Sequence, residues 1–339
     1  MTDEDELYQI RSEVKRPDDF DDFWRRTLYE LAEVDPQWDR IEDDSIEAPG
    51  RTVYTVRMHS IDDSITYAWL AVPKHIAAGS RWRGDVADSA EANGLTLPGY
   101  LWLPGYSLGN PPPGPESLYD GVITMGLNVH GNYPDAAYVN PYTISKDYVT
   151  DGIESPDTYI FRRIVAHCVR AFEVLLQQPE VDARVGIVGG MSQGGGLALI
   201  AAALLGDRVR LCFADMPWLC DLDRALSLVD RERYRRVPNL RVPDGRWAIE
   251  EYALAHPELR EQIFKTYRYF DPLSHANRIV APTQMSAGGR DPSCRPPTIF
   301  SVYNEIRAEK EMQYLPTTGH EIVKPMWDAH ANWLRSRLQ

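Results

Sequence analysis

Residues 184–205 read R-V-G-I-V-G-G-M-S-Q-G-G-G-L-A-L-I-A-A-A-L-L, and the order of residue types in that stretch decides the fold. The β-branched run at 185–188 reads as a buried strand. A glycine-crowded turn carrying Ser192 follows, and the Ala/Leu run after it reads as a buried helix. Strand, sharp turn and helix are the setting in which G-x-S-x-G forms a nucleophile elbow. Such a turn strains the serine backbone and lifts its hydroxyl above the sheet. The residues two before and two after must be small, because strand and helix crowd there. Gly190 and Gly194 fill both places.

Working outward, the chain repeats the same unit of apolar strand, turn and amphipathic helix. The pattern predicts strands at 100–103, 122–129, 185–188, 209–213, 283–286 and 311–315, preceded by two more at 52–58 and 65–72. Helices are predicted at 159–176, 195–205, 297–306 and 326–337. Alternation of this kind predicts an α/β protein with a mostly parallel central sheet and helices on both faces. Ahead of it, Phe20, Phe23, Trp24, Leu28 and Leu31 share one face of a helix with an acidic start. Residues 1–45 are accordingly expected to form an N-terminal helical arm. Residues 77–96, polar and rich in small side chains, read as a surface loop or insertion. Residues 215–269 depart from the alternation and read as a helical excursion after the sixth strand, a cap or an interface element. The expectation is a single domain over 1–339.

Composition narrows the function class. The chain has 339 residues, 43% hydrophobic and 25% charged, the make-up of a globular protein. Its formal charge of −14, from 36 basic and 50 acidic residues, argues against a nucleic-acid or anionic-membrane partner. The basic stretch 231–236 also holds Glu232 and reads as a solvated helix face. The longest apolar stretch, 197–205, is too short to cross a bilayer. The start, M-T-D-E-D-E-L-Y, lacks the basic and apolar regions of a secretion signal. Cys168, Cys212, Cys220 and Cys294 are scattered without metal-like spacing, which fits buried thiols in a reducing compartment. The expected location is the cytoplasm.

A serine nucleophile needs a histidine base and an acid to orient it, in the chain order Ser, Asp/Glu, His after an elbow of this type. Catalytic groups gather at the carboxyl ends of the strands. Asp291, in A-G-G-R-D, follows the strand at 283–286, and His320, in P-T-T-G-H-E, follows the strand at 311–315. Asp215, in C-F-A-D-M-P, also closes a strand and is the rival acid; Asp271, in Y-F-D-P, reads as a turn or cap residue. Among the histidines, His167 and His330 fall within helices, where packing roles are expected, and His130 ends a strand as a weaker alternative base. The oxyanion needs two backbone N–H groups. One is expected from Gln193, next to the nucleophile, and the other from Tyr106 in Pro104-Gly105-Tyr106. His130-Gly131-Asn132 imitates an oxyanion motif but follows the wrong strand.

With these residues assembled, the chain resembles carbohydrate esterase family seven, the acetyl xylan esterases and cephalosporin-C deacetylases of the α/β-hydrolase superfamily. The resemblance runs through P-D-D-F-D-D-F-W, P-G-Y-S, V-T-D-G-I-x-x-x-x-x-Y-x-x-R-R, V-R-A-x-E and P-E-V-D-A-R-V-G-I-V-G-G-M-S-Q-G-G-G-L-A-L. It continues with M-P-W-L-C-D, Y-F-D, G-G-R-D-P-S-C-R-P-P-T-I-F-S-V-Y-N and G-H-E. It implies an α/β-hydrolase fold, Ser192, Asp291 and His320 as a triad, and Tyr106 and Gln193 as oxyanion donors. It also implies deacetylation of small acetylated sugars and of the acetoxymethyl group of cephalosporins. A homo-oligomer, a hexamer with an internal cavity, is implied too, with no metal or organic cofactor. Two departures touch the pocket walls. His130-Gly131-Asn132 stands where relatives carry Arg-Gly-Gln, and an imidazole cannot repeat the five-donor fork of a guanidinium. Pro104 replaces the histidine usual before Gly-Tyr, beside the longer loop at 77–96.

The expected activity is that of a serine carboxylic-ester hydrolase removing acetyl groups from xylo-oligosaccharides, and from cephalosporin C, through an acetyl-enzyme on Ser192. The same triad fits a serine peptidase or an esterase for longer acyl chains, although no carboxylate pair for binding an amine is identifiable. A non-catalytic binding protein of the same fold is disfavoured, because such proteins lose a triad residue and all three are present.

Overall fold

The computed structural model describes residues 4–77, 82–83, 86–87, 96–106, 118–130, 148–228 and 246–338. Most of the predicted loop at 77–96, the basic stretch 231–236 and residues Gly131 and Asn132 lie outside them. The strands are β1 (Asp39–Glu42), β2 (Arg51–His59), β3 (Ile65–Pro73), β4 (Trp82–Arg83), β5 (Val86–Ala87) and β6 (Leu97–Leu103). They continue as β7 (Ile123–Asn128), β8 (Val181–Met191), β9 (Val209–Asp215), β10 (Thr283–Gly288) and β11 (Lys310–Leu315). A nine-stranded sheet runs in the order β1-β2-β3-β7-β6-β8-β9-β10-β11. From β7 through β11 every pairing is parallel, whereas β1, β2, β3 and β7 pair antiparallel. The fold is therefore the expected mostly parallel α/β sheet, extended at one edge by an antiparallel ribbon.

Two elements were not legible. The arm at 1–45 holds the helices Glu4–Leu7 and Phe20–Glu33, but it ends in β1, which joins the sheet edge. Within 77–96, β4 and β5 form a two-residue-long hairpin. Both are short, and short strands leave little periodicity to read.

The central strands are buried on both faces, which explains their continuous apolar sequences. Every residue of β3 and β7 is buried. The helix Ile160–Leu176 covers one face and is itself buried around most of its circumference, from Phe161 and Ile164 to Phe172 and Leu175. The helix Phe20–Glu33 buries Phe20, Phe23, Trp24, Thr27 and Leu31, as its spacing predicts. Its Trp24 Nε1 donates to Tyr269 O at 3.1 Å, and Phe20 stacks on the Tyr269 ring, so the arm is bolted to the chain just before β10.

The path of the chain creates the crevice. It runs from β6 outward to β7, then crosses back to β8 on the other side of β6. Between β6 and β8 the strand order reverses, and ligand sites in such sheets open outside the carboxyl ends at that point. Those two ends carry Tyr106 and Ser192. The excursion after β9 contains the helices Leu222–Ser227, Arg246–Ala255 and Arg260–Arg268. It is anchored by Asp271, whose carboxylate accepts from the backbone N–H groups of Asp221, Leu222 and Leu273 at 3.0, 3.2 and 2.9 Å.

Candidate active site

Strand β8 delivers Ser192 into a turn with φ 59° and ψ −123°, and the helix Gln193–Leu205 starts at the next residue. A non-glycine residue held there costs about 1–3 kcal/mol. Neighbouring backbone holds the conformation. Ser192 N–H donates to Asp215 O at 2.9 Å, and Ser192 O accepts from Trp218 N at 2.8 Å and Gly196 N at 3.1 Å. The crowding read from the sequence is real. A Cβ on Gly190 would lie 2.6 Å from the Gly194 carbonyl carbon, and one on Gly194 would lie 2.1 Å from Leu103 O. The helix is buried almost throughout, so the positive end of its dipole acts in a medium of low polarity.

Parallel neighbours β10 and β11 bring the other two predicted residues together. His320 Nδ1 lies 2.6 Å from Asp291 Oδ2. Asp291 Oδ1 accepts from the Ser293 and Cys294 backbone N–H groups, each at 2.8 Å. The Asp291 side chain is fully buried, while His320 remains 26% exposed. One carboxylate oxygen is thus fixed by the main chain and the other is aimed at the imidazole. That bond assigns the proton to Nδ1 and leaves Nε2 as the free base. Cys294 Sγ lies beside the pair, with one donor atom of each of the three residues within 4.8 Å of the others. Carboxylate, thiol and imidazole are zinc-type ligands. Here, however, both Asp291 oxygens are spent, one on two amides and one on His320, so the donor set serves the imidazole.

Tyr106 and Gln193 follow β6 and β8, the two strands that flank the switch point. Gln193 is buried as the first residue of its helix, where an amide has no intrahelical acceptor and points out of the helix end. Tyr106 is 39% exposed, and its ring stacks on Tyr148 at 4.7 Å. Tyr148 also donates its phenolic hydrogen to Gln193 Oε1 at 2.9 Å. His130 is fully buried with its ring 4.6 Å from Tyr148, edge to face. Tyr148 is unmarked in the sequence, because a lone aromatic before V-T-D-G-I carries no motif of its own.

The rival residues have other partners. Asp215 accepts from Ser286 Oγ at 2.9 Å and faces His330 Nε2 at 3.4 Å. His330 Nδ1 lies 2.9 Å from Tyr119 Oη, and its ring stacks on Phe213. His167 sits between Ser64 Oγ at 2.8 Å and Val129 O at 2.5 Å, where burial pushes it down to about 3. Asp271, buried with Asp221 nearby, is pushed up to about 7.

Comparison with known proteins identifies the family. The model of the acetyl xylan esterase (AXE1) family matches residues 2–80 and 116–337. The chain belongs to that family. It is therefore an enzyme, a carboxylic-ester hydrolase on an α/β-hydrolase fold. Acetyl esterase Axe7A of Xylanibacter ruminicola is 25% identical over 97% of this chain and 69% of its own length. The solved acetyl xylan esterase from Paenibacillus sp. R4 superposes with a TM-score of 0.81 at 25% identity, over 99% of this chain and 100% of that one. Acetyl xylan esterase 1 from Thermoanaerobacterium gives a TM-score of 0.78 at 24% identity, over 100% of this chain and 99% of that one, and shares the fold. Among the described residues no helix is long and apolar enough to cross a membrane.

Proposed function

We propose that this esterase removes acetyl groups from small acetylated carbohydrates, xylo-oligosaccharides foremost, through an acetyl-enzyme on Ser192. The observation that carries the reading is the 2.6 Å contact between His320 and the buried Asp291, in loops that follow adjacent parallel strands of the sheet bearing the Ser192 elbow. His320 Nε2 takes the Ser192 hydroxyl proton as Oγ attacks the acetyl carbonyl. The backbone N–H groups of Gln193 and Tyr106 receive the developing oxyanion. The tetrahedral intermediate expels the sugar oxygen, which leaves as a hydroxyl because His320 protonates it. Water, deprotonated by the same imidazole, then releases acetate and restores Ser192. Asp291 holds the Nδ1 proton throughout and offsets the imidazolium charge. Names of the relatives support acetyl and xylan as the acyl group and acceptor. The acetoxymethyl ester of cephalosporin C offers the same small acyl group and belongs to the proposed range. Four buried cysteines outside any disulfide favour a cytoplasmic enzyme, and family resemblance favours a homo-hexamer.

The test is hydrolysis of p-nitrophenyl esters from acetyl to octanoyl, with acetylated xylo-oligosaccharides and cephalosporin C alongside, by the native protein and Ser192→Ala. Activity greatest on acetyl esters and lost in Ser192→Ala is expected. Full activity of Ser192→Ala overturns the nucleophile, and a preference for octanoyl overturns the acetyl assignment.

A further inference from the structure

The two candidate oxyanion donors come from different strands. Gln193 follows β8 and Tyr106 follows β6, and a hydrogen-bond geometry shared between two loops needs something to set their spacing. Gln193 is held by its own helix and by the backbone bonds of Ser192. Tyr106 stands three residues beyond β6, with its ring partly exposed. Tyr148 touches both. It is fully buried and opens the short 3-10 turn Tyr148–Thr150. Its ring stacks on Tyr106 with planes 26° apart, while its hydroxyl donates to the Gln193 side chain at 2.9 Å. The edge-to-face contact with buried His130 restrains the phenol ring as well.

We propose that Tyr148 is a positioning residue for the oxyanion hole: it references the Tyr106 loop to the helix that carries Gln193. The inference rests on reading the Tyr106 and Gln193 amides as the oxyanion donors. The stack sets how far Tyr106 stands from the elbow, and the hydrogen bond keeps the Tyr148 ring from turning. Oxyanion donors act through geometry, and a shift of about 0.5 Å is enough to weaken them. Because the donors bind charge that exists only in the transition state, their displacement lowers kcat and leaves KM nearly unchanged.

Three substitutions separate the parts. Tyr148→Phe keeps the ring and removes the hydrogen bond; Tyr148→Leu removes both. Gln193→Met keeps the backbone N–H of residue 193 and removes the acceptor on its side chain. All are assayed with p-nitrophenyl acetate, with kcat normalised to the sites labelled by a fluorophosphonate, beside affinity for methylboronic acid, a tetrahedral mimic, and melting temperature. The expected result is a kcat about 5- to 10-fold lower in Tyr148→Phe and Gln193→Met, and roughly 100-fold lower in Tyr148→Leu, with KM within about twofold. Boronic acid affinity should fall in parallel. The Tyr148→Phe/Gln193→Met double variant should be no worse than either single one, since both remove one bond. Native kcat per labelled site in Tyr148→Phe and Gln193→Met overturns the proposal, even if melting temperature falls, because then the tyrosine only packs. If Tyr148→Leu does not fold, the other two variants decide. Ser192→Ala separates the failures: if it is inert while the Tyr148 variants match the native enzyme, the hydrolase reading stands and only the positioning role is lost.

Discussion

Replacing Gly194 by alanine should damage catalysis more than stability, and the structure says why. The new Cβ would stand 2.1 Å from Leu103 O, 2.8 Å from Leu103 C and 3.1 Å from Pro104 O. All three are main-chain atoms, so no flexible side chain can swing aside. Restoring an ordinary contact requires a displacement of about 1 Å between the elbow and the end of β6. That end leads, three residues on, to Tyr106. Overpacking of this size costs about 1–3 kcal/mol of stability. The same 1 Å, applied between nucleophile and oxyanion donor, costs roughly 100-fold in rate. The assay is kcat for p-nitrophenyl acetate per fluorophosphonate-labelled site, with melting temperature in parallel. Gly206→Ala is the comparison, since Gly206 has φ +60° with nothing within 4 Å of the added Cβ. It should lose about 1–2 kcal/mol from backbone strain and keep native kcat per site. Native kcat per site in Gly194→Ala would refute the reasoning, because the crowding would then be unconnected to the chemistry.

Three further expectations follow from the geometry. Asp291→Asn should lower kcat by about 10³- to 10⁴-fold, because the amide cannot hold the imidazole tautomer and its charge. Asp215→Asn, which disturbs the Ser286 and His330 contacts, should stay within about tenfold of native; the reverse order would move the acid to Asp215. Stability should fall on the acid side: burial pushes His167 and His275 down to about 3, so below the ordinary value of 6.5 the unfolded chain binds protons that the folded one refuses. Asp271, pushed up to about 7 by burial and then by Asp221, works the other way, its contribution complete below 3.8 and lost as pH rises through 7. The net of one proton predicts a loss of about 1.4 kcal/mol per pH unit between about pH 6 and 4 in urea titrations, flattened in His275→Gln. A stability that rises on acidification there contradicts it. Finally, the four cysteines are buried and form no disulfide, and burial pushes the Cys168 and Cys212 thiols well up, so Ellman's reagent should label them only on unfolding. Rapid labelling of the native enzyme would show that the thiols open to solvent without unfolding.

The elbow was legible because its constraint is local. Gly190 and Gly194 answer to atoms a few residues away or in the next strand, and a pentapeptide records that. Asp291 and His320 were found by following strands to their carboxyl ends, which works because parallel topology fixes where those ends lie. The antiparallel edge was less visible: β1 is four residues long and pairs with a strand that reads the same whichever way its neighbour runs. Tyr148 was invisible for a different reason. Its partners, Tyr106 and Gln193, are distant in sequence, and stacking and one phenolic bond leave no spacing to detect. The backbone amides of Ser293 and Cys294 that fix Asp291 are equally silent, since any residue but proline supplies an N–H.

The central claim is that Ser192 carries the acetyl group between sugar and water. Acid quench of the enzyme within its first turnovers on p-nitrophenyl acetate, followed by peptide mass spectrometry, tests it directly. One acetyl group is expected on the peptide containing Ser192, absent in Ser192→Ala and accumulating with the burst of nitrophenol. A burst with acetate released and no acetyl on that peptide, or acetyl found on another residue that turns over at the catalytic rate, would contradict it.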